Sequence, residues 1–151
     1  MLMALSVSVG GIIERSGVME NLPETFANVW LAMTLLVVTM VIIGMIMDPY
    51  GAVILVNATI AQIAFDNGIA PLHFWMITLV AFELGYLSPP VAVNHLLTRQ
   101  VVGEEEIAKA KEETKGKSFW IRHERYVLPI TVMAIALVLV AFGPLVYQQY
   151  F

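Results

Sequence analysis

"GYLSPPVAVNHLL", Gly85 to Leu97, lies inside a strongly apolar run, yet it carries two adjacent prolines, a serine and an asparagine. Proline has no N–H to donate and crowds the preceding turn, so Pro89 and Pro90 cannot sit inside a regular helix. The run is therefore two helical pieces with unwound backbone between them. The fold turns on what surrounds that interruption.

The surroundings are those of a membrane protein. Hydrophobic residues make up 59% of the 151 and charged residues 13%, against about a quarter charged in a soluble domain, and mean hydropathy is +0.80. A chain of this length forms one small bundle and is too short for most complete transporters or multi-domain enzymes. The absence of cysteine removes disulfides, thiolate catalysis and thiolate metal sites. With a net charge of −4 and the lysines confined to one loop, nucleic acid is excluded as a partner. The amino terminus has no basic region and no small-residue cleavage site, so it does not read as a signal peptide; the expectation is the end of a helix whose beginning is missing.

Five segments follow from the pattern. Residues 1–25 are a short apolar stretch, Leu2 to Ile13, and a polar turn. Residues 26–65 hold an apolar run long enough to span, an interruption at Asp48-Pro49, and an apolar return, Ala52 to Phe65, of only about 21 Å against a hydrocarbon core of about 30 Å. That is the expectation of a re-entrant helical hairpin. Residues 66–102 form the broken transmembrane helix, 103–125 an exposed amphipathic segment with an acidic start and a basic end, and 126–151 a last span with aromatic ends. Seven of the eight Lys and Arg residues lie from Arg99 to Arg125. The positive-inside rule makes that loop cytoplasmic, which points the Asp48 tip inward and sets both ends of the hairpin and the carboxy terminus outside.

Unwound backbone at membrane depth is tolerated only where it is buried in protein or lines a watery cavity. The two breaks therefore predict an internal site. Pro89 and Pro90 deprive the Gly85 and Tyr86 carbonyls of their helical donors beside the Ser88 hydroxyl, and such oxygens at the negative end of a half-helix suit Na⁺. The helix restarting near Val91 offers its N–H groups and Asn94 to an anionic substrate. At the hairpin tip Gly44 allows close backbone approach and Asp48 offers a carboxylate, although Asp48-Pro49 is also a good helix cap followed by proline at the first helical position. Ion-binding candidates are thus Gly44, Asp48, Gly85, Tyr86, Ser88, Pro89 and Pro90, and substrate-binding candidates Ser88 and Asn94. The competing reading of Pro89-Pro90 is a plain kink, since prolines are common in membrane helices. Glu83 must face the bundle or a cavity; His95 is a relay or a hydrogen-bonded helix-end residue, and His73 is expected to be structural. No histidine–carboxylate set has transition-metal spacing, and no nucleophile–base pair or phosphate-binding glycine loop is present, so the chain does not read as an enzyme and requires no cofactor beyond a coupling ion.

Three stretches carry a resemblance. "GMIMDPYGAVIL", "NGIAPLHFWMI" and "LGYLSPPVAVNHLL", in this order, resemble the C-terminal half of the large membrane subunit of tripartite ATP-independent periplasmic (TRAP) transporters, with the pattern Gly-Met-x-x-Asp, Gly-x-Asp-Pro-x-His-Phe, Gly-x-Leu-Thr-Pro-Pro-x-Gly. Gly44, Met45, Asp48, Gly68, Pro71, His73, Phe74, Gly85, Leu87, Pro89 and Pro90 match; Ser88 replaces threonine, Ala70 an aspartate and Ala92 the final glycine. The proline expected near Asn57–Ala58 is absent, and the resemblance covers roughly residues 1–100.

The resemblance implies an all-α integral membrane protein, one half of an inverted-repeat elevator transporter in the bacterial inner membrane. It implies Na⁺-driven import of C4-dicarboxylates or related carboxylates. The implied partners are a periplasmic substrate-binding protein, a small membrane subunit and the missing N-terminal half of the large subunit. Another Na⁺-coupled anion transporter and a non-transporting membrane scaffold or assembly subunit are the alternatives.

Overall fold

The computed structural model describes residues 28–89, 92–116 and 118–150, together with Ser8, Ile12, Arg15 and Phe26. The expectations for the rest of residues 1–25, and for Pro90 and Val91, lie outside the described residues. The described chain is all-helical: α1 (Val29–Ile46), α2 (Pro49–Ala58), α3 (Ile60–Asp66), α4 (Pro71–Leu87), α5 (Val93–Val102), α6 (Glu104–Glu113) and α7 (Phe119–Tyr150).

α1 starts where the Asn28 side chain accepts the Trp30 N–H at 2.9 Å, which satisfies one of the donors a helix start leaves open. Its buried residues, Ala32, Leu36, Met40 and Gly44, recur every four positions and make one ridge. The opposite face, Leu31, Leu35, Val38 and Ile42, is apolar and exposed. A helix apolar all round belongs in lipid. Among the described residues two helices are long and apolar enough to cross a membrane, Val29–Ile46 and Tyr126–Tyr150, and the 17-residue α4 is apolar but shorter.

The chain reverses at Met47-Asp48. Asp48 accepts the Gly51 N–H at 3.0 Å and Pro49 occupies the first helical position, so the cap foreseen from the sequence is formed. The return arm differs from expectation: it is two helices, with a step at Thr59, whose backbone leaves helical geometry (φ −127°, ψ −67°). The Thr59 hydroxyl donates to the Leu55 carbonyl at 2.6 Å, the same i−4 bond that Thr34, Thr78 and Thr131 make inside unbroken helices. The two ends of the hairpin meet, because the Phe26 N–H donates to the Asn67 side-chain oxygen at 2.8 Å.

α4 is the centre of the bundle, with α1 on one side and α7 on the other. Phe74, Ile77, Thr78, Ala81, Phe82 and Gly85 are buried along it at helical spacing. α1 and α4 run parallel, since Asn67, just before α4, lies at the start of α1 and Gly85 lies against Gly44 near the end of α1. α7 runs antiparallel to α4, tied at one end by His73 to Val140 and meeting α5 at the other through His95 and Tyr126. Trp30 stacks on Phe142 with centroids 6.0 Å apart, which fixes α1 against α7.

The final helix begins at Phe119, seven residues before the span expected from hydropathy, and carries Pro129 and Pro144 inside it. Proline 144 leaves the Val140 carbonyl without its i+4 donor. The His73 Nε2–H supplies the bond at 2.8 Å, so the helix continues through the proline. α6 is exposed except at buried Ile107 and half-buried Ala110, and Gly103, at φ +87°, makes the corner between α5 and α6. Surface pairs Arg99–Glu104 and Lys109–Glu106 decorate this corner and contribute little to stability.

Candidate functional site at two converging helix ends

α1 and α4 cross on glycine. A Cβ placed on Gly85 would stand 2.6 Å from the Gly44 carbonyl carbon and 2.8 Å from its Cα, and one on Gly44 would stand 2.9 Å from the Phe82 Cα. Backbone lies against backbone, as small residues permit at membrane helix interfaces. Three residues beyond the crossing, both helices end: α1 at its cap Met47 (φ −106°, ψ 156°) and α4 at its cap Ser88 (φ −92°, ψ 146°). Parallel helices that stop at one level direct two negative dipole ends and their last carbonyls into the same place.

The carbonyl pattern is tighter than the sequence alone suggests. Gly85, deprived of its i+4 donor by Pro89, accepts the Ser88 N–H at 3.0 Å instead, a 3₁₀-type closure of the last turn. The Ser88 hydroxyl donates to the Leu84 carbonyl at 2.7 Å. Both Ser88 and Gly85 oxygens keep acceptor capacity, since a hydroxyl and a carbonyl each carry two lone pairs. Asp48, one residue beyond the cap that ends α1, caps α2, and its carboxylate and that of Glu83 both act electrostatically on the Tyr86 phenol.

The chain resumes at Ala92, which caps α5 in the left-handed conformation, φ 46° and ψ 56°. No other non-glycine residue among those described has a positive φ. Asn94, expected from the sequence to face a substrate, donates its amide to the Glu83 carboxylate at 2.7 Å. It thereby joins the two halves of the broken helix, and Glu83 gains a partner that sequence reasoning had left open. His95 packs edge-on to Tyr126 with centroids 4.6 Å apart, and its Nε2 is buried without a partner among the described residues. His73 lies near the opposite end of α4, bonded to α7. Of the candidate residues, Gly44, Asp48, Gly85, Tyr86 and Ser88 are thus grouped around the two helix ends, with Pro89 adjoining. Sequence reasoning missed the Tyr86 side chain and the Glu83–Asn94 bond; an acid and an amide flanking a double proline were the available signal.

The apolar groove of about 130 Å³ between α1 and α3, lined by Ala32, Leu36, Ile60 and Ala64, lies at the Phe26–Asn67 end and not at the breaks. Among the described residues no group of three or more histidines and carboxylates is close enough to hold a metal ion.

Two helices that stop side by side inside an apolar all-helical bundle are compatible with a helical membrane protein. The chain belongs to the family of the tripartite ATP-independent periplasmic transporter, DctM component, whose profile matches residues 2–146. It is similar to the isethionate TRAP transporter permease protein DctMQ of Oleidesulfovibrio alaskensis, with 27% identity over 147 residues, 92% of this chain and 20% of that protein. It is also similar to the C4-dicarboxylate TRAP transporter large permease protein DctM of Pseudomonas aeruginosa, 27% identical over 92 residues, 56% of this chain and 22% of that protein. The DctM of Vibrio cholerae is 33% identical over 69 residues, 44% of this chain and 15% of that protein. The chain thus spans about a fifth of the length of the curated relatives it matches. No solved structure matches it. The protein is a transporter component and not an enzyme.

Proposed function

We propose that this chain forms the C-terminal ion- and substrate-handling part of a Na⁺-driven importer of organic anions. The observation that carries the reading is the Gly44–Gly85 crossing, which brings two helix C-termini to one level beside Asp48 and Ser88. Negative dipole ends, neutral oxygens and a carboxylate make a site for a hard monovalent cation, with oxygens from Gly44, Asp48, Gly85, Tyr86 and Ser88 as its ligands. The anion would bind next to that cation, with Ser88 and Asn94 on the substrate side. Its class is an organic acid: one relative is named for isethionate and others for C4-dicarboxylates, so a carboxylate or sulfonate headgroup fits the family's range.

In this reading α1 to α3 form a re-entrant hairpin opened to the outside, the α5–α6 corner is cytoplasmic, and the bundle slides as a unit against a scaffold in an elevator movement within the bacterial inner membrane. A periplasmic binding protein delivers the anion, and a small membrane subunit and the remainder of the large subunit complete the path. The test is uptake by the assembled transporter at several Na⁺ concentrations. Ser88→Ala removes one oxygen and spares the fold, so the Na⁺ concentration for half-maximal uptake rises several-fold at normal expression. An unchanged Na⁺ dependence would return Pro89-Pro90 to the rank of a kink.

A further inference from the structure

The residue after Gly85 is a tyrosine, and among the described residues its hydroxyl has no partner. Tyr86 is 8% exposed, its ring tilted against Phe82 with centroids 6.2 Å apart, and its oxygen is buried with no hydrogen bond. The two carboxylates that act on it are engaged elsewhere: Asp48 accepts the Gly51 N–H and Glu83 accepts the Asn94 amide. In the pattern Gly-x-Leu-Thr-Pro-Pro, Tyr86 falls on the unspecified position, so that pattern does not account for it. A phenylalanine would fill the same space without burying an O–H that lacks an acceptor, which is a costly arrangement. What the phenol lacks is an acceptor for its proton. A cation brings none, whereas an anion's oxygen does.

We propose that the Tyr86 hydroxyl is a specificity-determining contact for the transported anion, donating a hydrogen bond to a carboxylate or sulfonate oxygen beside the cation site. This rests on the anion-transport reading above. The Asp48 and Glu83 carboxylates and the two helix C-termini outweigh the opposing partial charge at the start of α2, so an anion binds better once a cation sits between the helix ends. The contact therefore forms best in the cation-loaded site and adds selectivity to it. Reaching the buried oxygen requires the helix ends to part slightly, and the strained Ala92, at φ 46°, sits where such a movement would be taken up.

The test is Tyr86→Phe in the assembled transporter that contains this chain, reconstituted in proteoliposomes, with succinate and isethionate as probes. The expected result is a KM for the anion raised about tenfold or more, with the Na⁺ concentration for half-maximal uptake unchanged when each protein is assayed at the same multiple of its own anion KM, because the backbone carbonyl is untouched. In a parallel measurement without either probe, the variant melts at the same temperature as the unmodified protein or higher, because an orphaned hydroxyl has been removed. A lower melting temperature with unchanged KM would mean that the hydroxyl already has a structural role, and would overturn the proposal. A raised Na⁺ requirement with unchanged anion KM would also overturn it, making the phenol oxygen a cation ligand. Uptake of neither probe by the unmodified transporter would bring down the organic-anion reading itself, and this proposal with it.

Discussion

Two prolines in this chain remove the same hydrogen bond and have opposite results. Pro144 deprives the Val140 carbonyl of its donor, yet α7 runs on to Tyr150 because the His73 ring from α4 fills the vacancy. Pro89 deprives Gly85 of its donor, and there α4 ends: Ser88 closes the last turn, and the next described helix begins at Val93. Proline by itself therefore does not decide a break. α7 also runs through Pro129 without a break, whereas after Ser88 two prolines stand together and a second missing N–H follows the first. The difference separates the His73–Val140 flank of the bundle from the end where the proposed site lies.

The strongest way to break the second region is to fill the crossing that holds it in place. Gly85→Val puts a branched side chain where even a Cβ meets the Gly44 backbone at 2.6 Å, and backbone cannot rotate away as a side chain can. Overpacking of this kind costs about 3 kcal/mol or more. Loss of the folded bundle, seen as a large drop in melting temperature in detergent, is the expected outcome; a variant that melts normally would show that α1 and α4 do not touch there.

A smaller effect tests the first region. His73→Leu orphans the Val140 carbonyl and should cost about 1 kcal/mol, whereas adding Pro144→Ala restores an N–H at the fourth position and should recover most of that loss. Melting temperatures of the two single variants and the double variant form a cycle that isolates the coupling. Additive losses would show that the histidine is not serving the proline.

The smallest expected change is a gain. Ala92 sits at φ 46°, where a β-carbon costs about 1–2 kcal/mol, while glycine there loses about 0.5–1 kcal/mol in unfolded-chain entropy. Ala92→Gly should therefore raise stability by about 0.5 kcal/mol, readable as a shift of a degree or so. A clear loss of stability would mean that the methyl group is making a contact that outweighs the strain. The comparison is with Gly103, which takes φ +87° at the next corner with no such cost.

The hairpin and the broken helix were legible because their signals are local. Asp48-Pro49 states a cap and a first helical position in two letters, and Ser88-Pro89 states the end of a ladder. Helix limits set by packing were less legible: hydropathy starts the last span at Tyr126, but polar Arg122 to Arg125 continue the same helix back to Phe119. The step at Thr59 also escaped, since a threonine bonding its own i−4 carbonyl carries no breaker in its letter.

The sequence by itself determined that this is a membrane chain with two interrupted helices and to which family its motifs belong, because composition and proline chemistry act within a few residues. Only the tertiary structure decided that the two interruptions lie at one level. That depends on Gly44 and Gly85, 41 positions apart, meeting backbone to backbone, which no local pattern encodes. It also decided partners: Asn94 belongs to Glu83, His73 to a carbonyl freed by a proline 71 residues away, and Tyr86 to no group among those described. Hydrogen bonds to side chains are made across the bundle, and a residue's letter states what it can donate or accept but not who will be there.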